Sequence, residues 1–88
     1  MMTKPQASKV SRAPELLIQS GEQAAALRKK LGINQSVFWS RIRVTQSGGS
    51  RYESGRKLPH TVQLLLHLAY ASEAQAHTLL DALRKNDA

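Results

Sequence analysis

Asn34-Gln-Ser-Val-Phe-Trp-Ser-Arg-Ile-Arg-Val-Thr-Gln-Ser-Gly-Gly-Ser-Arg-Tyr-Glu-Ser-Gly-Arg-Lys-Leu-Pro59 is the stretch that decides the fold. Phe38 and Ile42 stand four apart, which places them on one face of a helix running from Asn34 or Gln35 to Ile42. Thr45 is a residue type that caps a helix N-terminus. It predicts another helix that carries Tyr52 inward and is ended by Gly55. That helix would show solvent a row of amide, hydroxyl and guanidinium groups: Gln46, Ser47, Ser50 and Arg51. Such groups match the donors and acceptors on base edges in a DNA major groove. Arg56-Lys57-Leu58-Pro59 then leads out as a basic loop.

The flanking sequence reads as support for this pair. Ser20 and Gln23 have capping-box spacing, and Ala24, Leu27 and Leu31 follow at helical intervals until Gly32. Arg28, Lys29 and Lys30 near the end of that helix suit its dipole. Thr61 is the expected cap of a fourth helix through Tyr70, with Val62, Leu65, Leu66 and Ala69 inward. Ser72 and Gln75 repeat the capping-box spacing before a fifth helix to about Arg84, bearing Leu79, Leu80 and Leu83. No strand-like alternation occurs, so the fold class is all-α: a compact bundle of about five short helices. Residues 14–88 form the expected single domain, with the two-helix motif at about 35–54. Residues 1–13, with Lys4, Lys9 and Arg12 and no acid, read as a flexible basic arm. Pro14 to Gln19 is short and apolar, and its sequence fits a helical turn, an extended segment or part of an interface.

The chain has 88 residues, with 13 Lys and Arg against 6 Asp and Glu and a formal net charge of +7. That excess favours a polyanionic partner. It contains no Cys, which excludes disulfides and thiolate metal sites. No apolar run is long enough to span a membrane, and the N-terminus lacks the pattern of a secretory signal. A cytoplasmic, nucleoid-associated location is expected.

Gln35, Phe38, Ile42, Val44, Thr45-Gln46-Ser47, Tyr52, Glu53, Gly55 and Pro59 together resemble the Cro/phage-repressor (XRE-type) helix-turn-helix family. Its pattern is Q-x-x-[apolar]-A-x-x-[apolar]-G-[apolar]-[ST]-Q-S, followed by an apolar residue and E-x-G-x-x-x-P. The resemblance covers about residues 20–70 and implies a lambda-repressor-like DNA-binding domain. It implies that Gln46, Ser47, Ser50 and Arg51 read bases, with the Gln46 amide suited to adenine and Arg51 to guanine. It implies that Gln35, Thr45, Ser54, Arg56 and Lys57 lie along the phosphates, with Gln35 also bracing Gln46; Arg43, a cation where the family has none, is expected to join them near the DNA backbone. Phe38, Trp39, Ile42, Gly49 and Tyr52 would pack the helices together. Alternatives stand beside these roles: Gln35 as only an N-terminal helix residue, Arg51 pairing with Glu53 or Glu22, Arg56-Lys57 as a solvated loop, and Glu53 as an ion pair or cap within the domain.

Three positions depart from the family pattern. Trp39 stands where Ala is usual and Gly49 where Val or Ile is usual, so the indole is expected to pack over the backbone of Gly48 and Gly49, exchanging volume between the helices. Arg43 stands where the turn usually has Gly, so either the turn geometry differs or a left-handed residue is tolerated at a cost of about 1 kcal/mol.

No catalytic constellation is visible, and no cofactor, metal or small-molecule ligand is expected. His60 and His67 are seven residues apart, about 10 Å along a helix, too far to share one metal. The Gly48-Gly49 pair is not a nucleotide loop, because no strand precedes it and no Lys-Ser/Thr follows. The expected function is sequence-specific double-stranded DNA binding by a small transcriptional regulator, a repressor at a pseudo-palindromic operator. A homodimer is expected, joined through the leucines of the last two helices or through Leu16-Leu17-Ile18. Two rivals are an antitoxin that autoregulates its operon and binds a toxin protein, and a protein-interaction module that keeps the fold.

Overall fold

Capping chemistry sets the helix boundaries of the chain, for which a computed structural model describes residues 14–85. The helices are α1 (Gly21–Leu31), α2 (Gln35–Ser40), α3 (Gln46–Glu53), α4 (His60–Tyr70) and α5 (Glu73–Lys85), with no strand among the described residues. The expected basic arm, residues 1–13, lies outside the described residues. Ser20 caps α1 by accepting from the Gln23 N–H at 3.1 Å. Gln23 Oε1 reaches back one residue further than a standard box, to the Gln19 N–H at 2.7 Å. Asn34 accepts from the Val37 N–H, and Thr45 accepts from the Gly48 N–H. Ser72 and Gln75 make the full reciprocal box expected of them.

The C-termini of α1, α2 and α3 close in one way. The N–H of Ile33 donates to Arg28 C=O, that of Val44 to Trp39 C=O, and that of Arg56 to Arg51 C=O. These are the six-to-one bonds of Schellman motifs, which need a left-handed residue just before the donor. Gly32 (φ 72) and Gly55 (φ 120) take that position at two ends, and Arg43 (φ 66) takes it at the third. The turn between α2 and α3 therefore keeps the glycine-type geometry without the glycine.

Two boundaries differ from the sequence reading. Regular helix in α2 stops at Ser40, and Ile42 belongs to the turn that follows. Helix α4 starts at His60 behind Pro59, not behind Thr61, and has no side-chain cap. Proline holds its own φ near the required value without help from a side chain, and the Gln63 N–H donates to its carbonyl at 3.0 Å.

The core gathers Ile18, Ala24, Phe38, Trp39, Ile42, Leu58 and Leu66. Full burial of an apolar side chain such as Phe38 contributes about 1.5–3 kcal/mol. Phe38 meets Trp39 edge-on at 5.2 Å and stacks on Tyr70 at 4.4 Å. The Tyr70 O–H donates to the Phe38 carbonyl at 2.7 Å, which ties the end of α4 to α2. Burial pushes the Tyr70 phenol pKa up, and the Arg41 charge over its ring offsets part of that rise.

Residues 14–19 form no helix and no strand, and Ile18 packs into the chain's own core. Ile18 is buried, and the Leu17 N–H donates to His67 Nδ1 at 2.9 Å. Accepting at Nδ1 places the imidazole proton on Nε2, which faces the Gln75 carbonyl at 3.2 Å. His67 is thus a buried tie between this segment, α4 and the first turn of α5. The inward placement expected of Leu65 does not occur. It is 45% exposed, while Leu66 is fully buried. On α5 only Leu79 is buried, and Leu80 and Leu83 are 40% and 38% exposed.

Candidate nucleic-acid interface

Helix α3 turns about 100° per residue, so Gln46, Ser47, Ser50 and Arg51 fall within one arc and Gly49, Tyr52 and Glu53 within the opposite one. The structure follows that division. Gln46, Ser47, Ser50 and Arg51 alone line a shallow surface concavity of about 420 Å³. Gly49 is buried, and Tyr52 and Glu53 are largely covered. The four residues that the sequence assigns to base reading are therefore together on one solvent-facing strip.

The opposite face is held by an acid. Glu53 accepts four hydrogen bonds, two at each oxygen. Oε1 receives Arg28 Nη2 and Gln35 Nε2, both at 3.0 Å. Oε2 receives Arg28 Nε at 2.9 Å and Trp39 Nε1 at 2.8 Å. Helices α1 and α2 are thus joined to the C-terminal turn of α3 through one carboxylate. Burial pushes the Glu53 carboxyl up, but the hydrogen bonds from Arg28, Trp39 and Gln35 and the charge of Arg28 outweigh it, so the group stays below the usual carboxylate range. The same hydrogen bond raises Arg28 further, against the effect of burial. The ion pair anticipated for Glu53 exists, with Arg28 as its partner in place of Arg51. Gln35 is anchored on Glu53 rather than on Gln46.

Trp39 and Gly49 meet as their unusual residue types suggest. A Cβ built at Gly49 would overlap the indole Cγ and Cδ1 and lie 2.6 Å from Nε1. Gly48 is different: a Cβ there would meet Thr45 Oγ1 and Val44 Cγ1, each at 3.3 Å, and not the indole. The expected packing of Trp39 over both glycines is corrected to Gly49 alone, because consecutive helical residues point about 100° apart. A contact absent from the sequence reading lies between Gly21 and Tyr52. A Cβ at Gly21 would collide with the Tyr52 carbonyl, so the first turn of α1 abuts the last turn of α3.

Of the residues assigned to phosphates, Gln35 lies on α2 against Glu53, and the others lie in the segments that flank α3. Thr45 is exposed at the start of α3, and its hydroxyl accepts from the Gly48 N–H, leaving its own proton free to donate. Arg43 is exposed in the turn, and Ser54, Arg56 and Lys57 are exposed beyond the end of α3. Among the described residues the one ion pair is Arg28–Glu53, and Arg43, Arg51, Arg56 and Lys57 are exposed.

The sequence reading missed the convergence of Arg28, Gln35 and Trp39 on Glu53. Arg28 was assigned to the dipole of its own helix, and its 25-residue separation from Glu53 gives no periodic signal. Among the described residues no group of three or more His, Cys, Asp or Glu lies together, and no helix is long and apolar enough to cross a membrane.

A family model described as the RsaL-like HTH domain matches residues 25–69, just over half of the chain. No curated protein matches. No solved structure matches. The matched span begins in the first half of α1, takes in α2, the turn and α3, and ends at the penultimate residue of α4. By its helix pair and by this match, the chain belongs to the RsaL-like helix-turn-helix domain family.

Proposed function

We propose that this chain is a small transcriptional regulator of the Cro/phage-repressor kind, which represses by occupying a pseudo-palindromic operator in double-stranded DNA. The observation that carries the reading is the strip on α3. Four polar side chains face solvent there, and the opposite side of the helix is fastened at Gly49 and Glu53. Gln46 supplies a bidentate amide for adenine, and Arg51 a bidentate guanidinium for guanine. Their Cα atoms are five residues apart, about 7.5 Å along the helix, a span of two to three base pairs. Arg43, Thr45, Ser54, Arg56 and Lys57 fix the register on phosphates. Gln35 joins them through whatever hydrogen-bonding capacity Glu53 leaves it.

The protein acts as a homodimer, so that two reading helices fall one DNA turn apart. Support comes from Leu65, Leu80 and Leu83, which are exposed on α4 and α5. Ile18 is already spent on the chain's own core, whereas Leu17 of the Leu16-Leu17-Ile18 segment stays as exposed as Leu80, so that segment can extend the interface of the last two helices. Residues 14–88 act as one domain in the cytoplasm, on the nucleoid.

Selection of duplexes from a random pool, followed by gel shift, tests the reading. Arg51→Ala reduces discrimination at one base position by about 1–3 kcal/mol, whereas Lys57→Ala weakens all duplexes alike and lowers the salt slope by about one. Equal effects of both substitutions on every duplex would overturn this division of labour.

A further inference from the structure

The inner face of α3 rests on one side chain at two points. The Trp39 ring lies directly beneath the Gly49 backbone, where a Cβ would come within 2.6 Å of Nε1. One turn further along α3, the Nε1–H of the same ring donates to Glu53 Oε2 at 2.8 Å. Trp39 is fully buried, and the Glu53 side chain is 7% exposed. A single contact under a helix leaves it free to roll about its axis. Two contacts of different kind on successive turns do not, because rolling either drives the backbone into the ring or stretches the hydrogen bond. Gln35, one turn before Trp39 on α2, adds a second donor from that helix at Oε1.

Rolling matters at the other face. A rotation of about 10° moves a side chain tip about 6 Å from the axis by about 1 Å. A bidentate contact to a base edge tolerates only about 0.5 Å of such error. Contacts from long, flexible Lys and Arg side chains to phosphates adjust to it.

We propose that Trp39 is a positioning residue for sequence discrimination: by seating Gly49 and donating to Glu53, it fixes the rotation of α3 at which Gln46 and Arg51 meet base edges. This rests on the DNA-reading function proposed above. It assigns to Trp39 an effect on the difference between DNA sequences that is separate from its effect on folding.

The test uses the full chain and two duplexes: one enriched from a random pool by the wild-type protein, and a scrambled duplex of the same length and composition. Trp39→Phe keeps most of the ring and removes the donor. Affinity for the enriched duplex falls about tenfold, affinity for the scrambled duplex changes less than twofold, and the salt slope is unchanged. A purely structural role moves both affinities together with the folded fraction, which circular dichroism reads in the same samples. Equal loss on both duplexes, or loss on neither, overturns the proposal. Should Trp39→Phe fail to fold, Glu53→Gln, which keeps the side chain's length but turns one accepting oxygen into a donating amide and removes the charge facing Arg28, is held to the same split. Failure of the wild-type protein to enrich any duplex would instead remove the DNA-reading function, and the proposal with it.

Discussion

Replacing Gly49 by Ala sets two forces against each other. On helix propensity alone, the change stabilises α3 by about 1 kcal/mol, because Ala is the better helix former. Packing acts in the opposite direction. The new methyl would overlap Cγ and Cδ1 of Trp39 and lie 2.6 Å from Nε1, closer than carbon and nitrogen can approach. The ring has no room to retreat: it is fully buried, meets Phe38 at 5.2 Å and Tyr52 at 5.5 Å, and is held at Nε1 by Glu53. Overpacking of a well-filled site costs about 1–3 kcal/mol, and a collision this deep belongs at the upper end. The net expectation is destabilisation by about 1–2 kcal/mol. For a domain of this size that lowers Tm by about 5–10 °C and shifts the urea midpoint by about 1 M at unchanged m. The pairing with Trp39 is checked by a double-substitution cycle. Gly49→Val and Trp39→Ala together cost at least about 1 kcal/mol less than the sum of the two alone, because the valine fills space the indole vacates. A rise in Tm for Gly49→Ala, or strict additivity in the cycle, would refute the account of how α3 is seated.

Two further outcomes follow from the turn and from the carboxylate. Arg43 is held at φ 66 in open solvent. Arg43→Gly gains about 1–2 kcal/mol by removing the left-handed penalty and gives back about 0.4–1 kcal/mol in freedom of the unfolded chain. Urea denaturation should show a net gain near 1 kcal/mol, while gel shift shows weaker binding to all duplexes as one of the cations proposed to meet phosphates is lost. For Glu53 the folded pKa lies below its unfolded value. Its contribution to stability is therefore full above the unfolded pKa and is lost as the pH falls through the lowered folded value. Urea midpoints measured from neutral pH into the acid range should fall for the wild type and fall less steeply for Glu53→Gln; parallel curves would contradict the carboxylate's role.

How much was legible in the sequence follows from how local each feature is. Helix caps act within three or four residues, so Ser20, Thr45 and Ser72 were readable from type and spacing. The Trp39–Gly49 exchange was readable because both residue types are unusual where they stand, but the pairing of two adjacent glycines with one ring was not, and the helix twist decided for Gly49 alone. The left-handed Arg43 was visible as one of two open alternatives, and the bond from Val44 to the Trp39 carbonyl decided between them. The Glu53 cluster was not legible, because its donors come from two other helices and each of Arg28, Gln35 and Trp39 has an ordinary local explanation. The same applies to Leu65 and Leu66: adjacent leucines carry equal hydropathy, and only the docking of Tyr70 on Phe38 settles which of them turns inward. The polar strip on α3 was legible, since its four residues are what remains once Gly49, Tyr52 and Glu53 are taken to the inside.

The outer face of α3 is the surface proposed to touch DNA. Backbone amide NMR shifts recorded while the enriched duplex is titrated in test it most directly. The largest shifts are expected at Gln46, Ser47, Ser50 and Arg51, with smaller ones at Arg43, Thr45, Ser54, Arg56 and Lys57 and little change along Glu73–Lys85 away from Leu80 and Leu83. Shifts concentrated on α5 or on residues 14–19, with α3 unmoved at saturation, would contradict it.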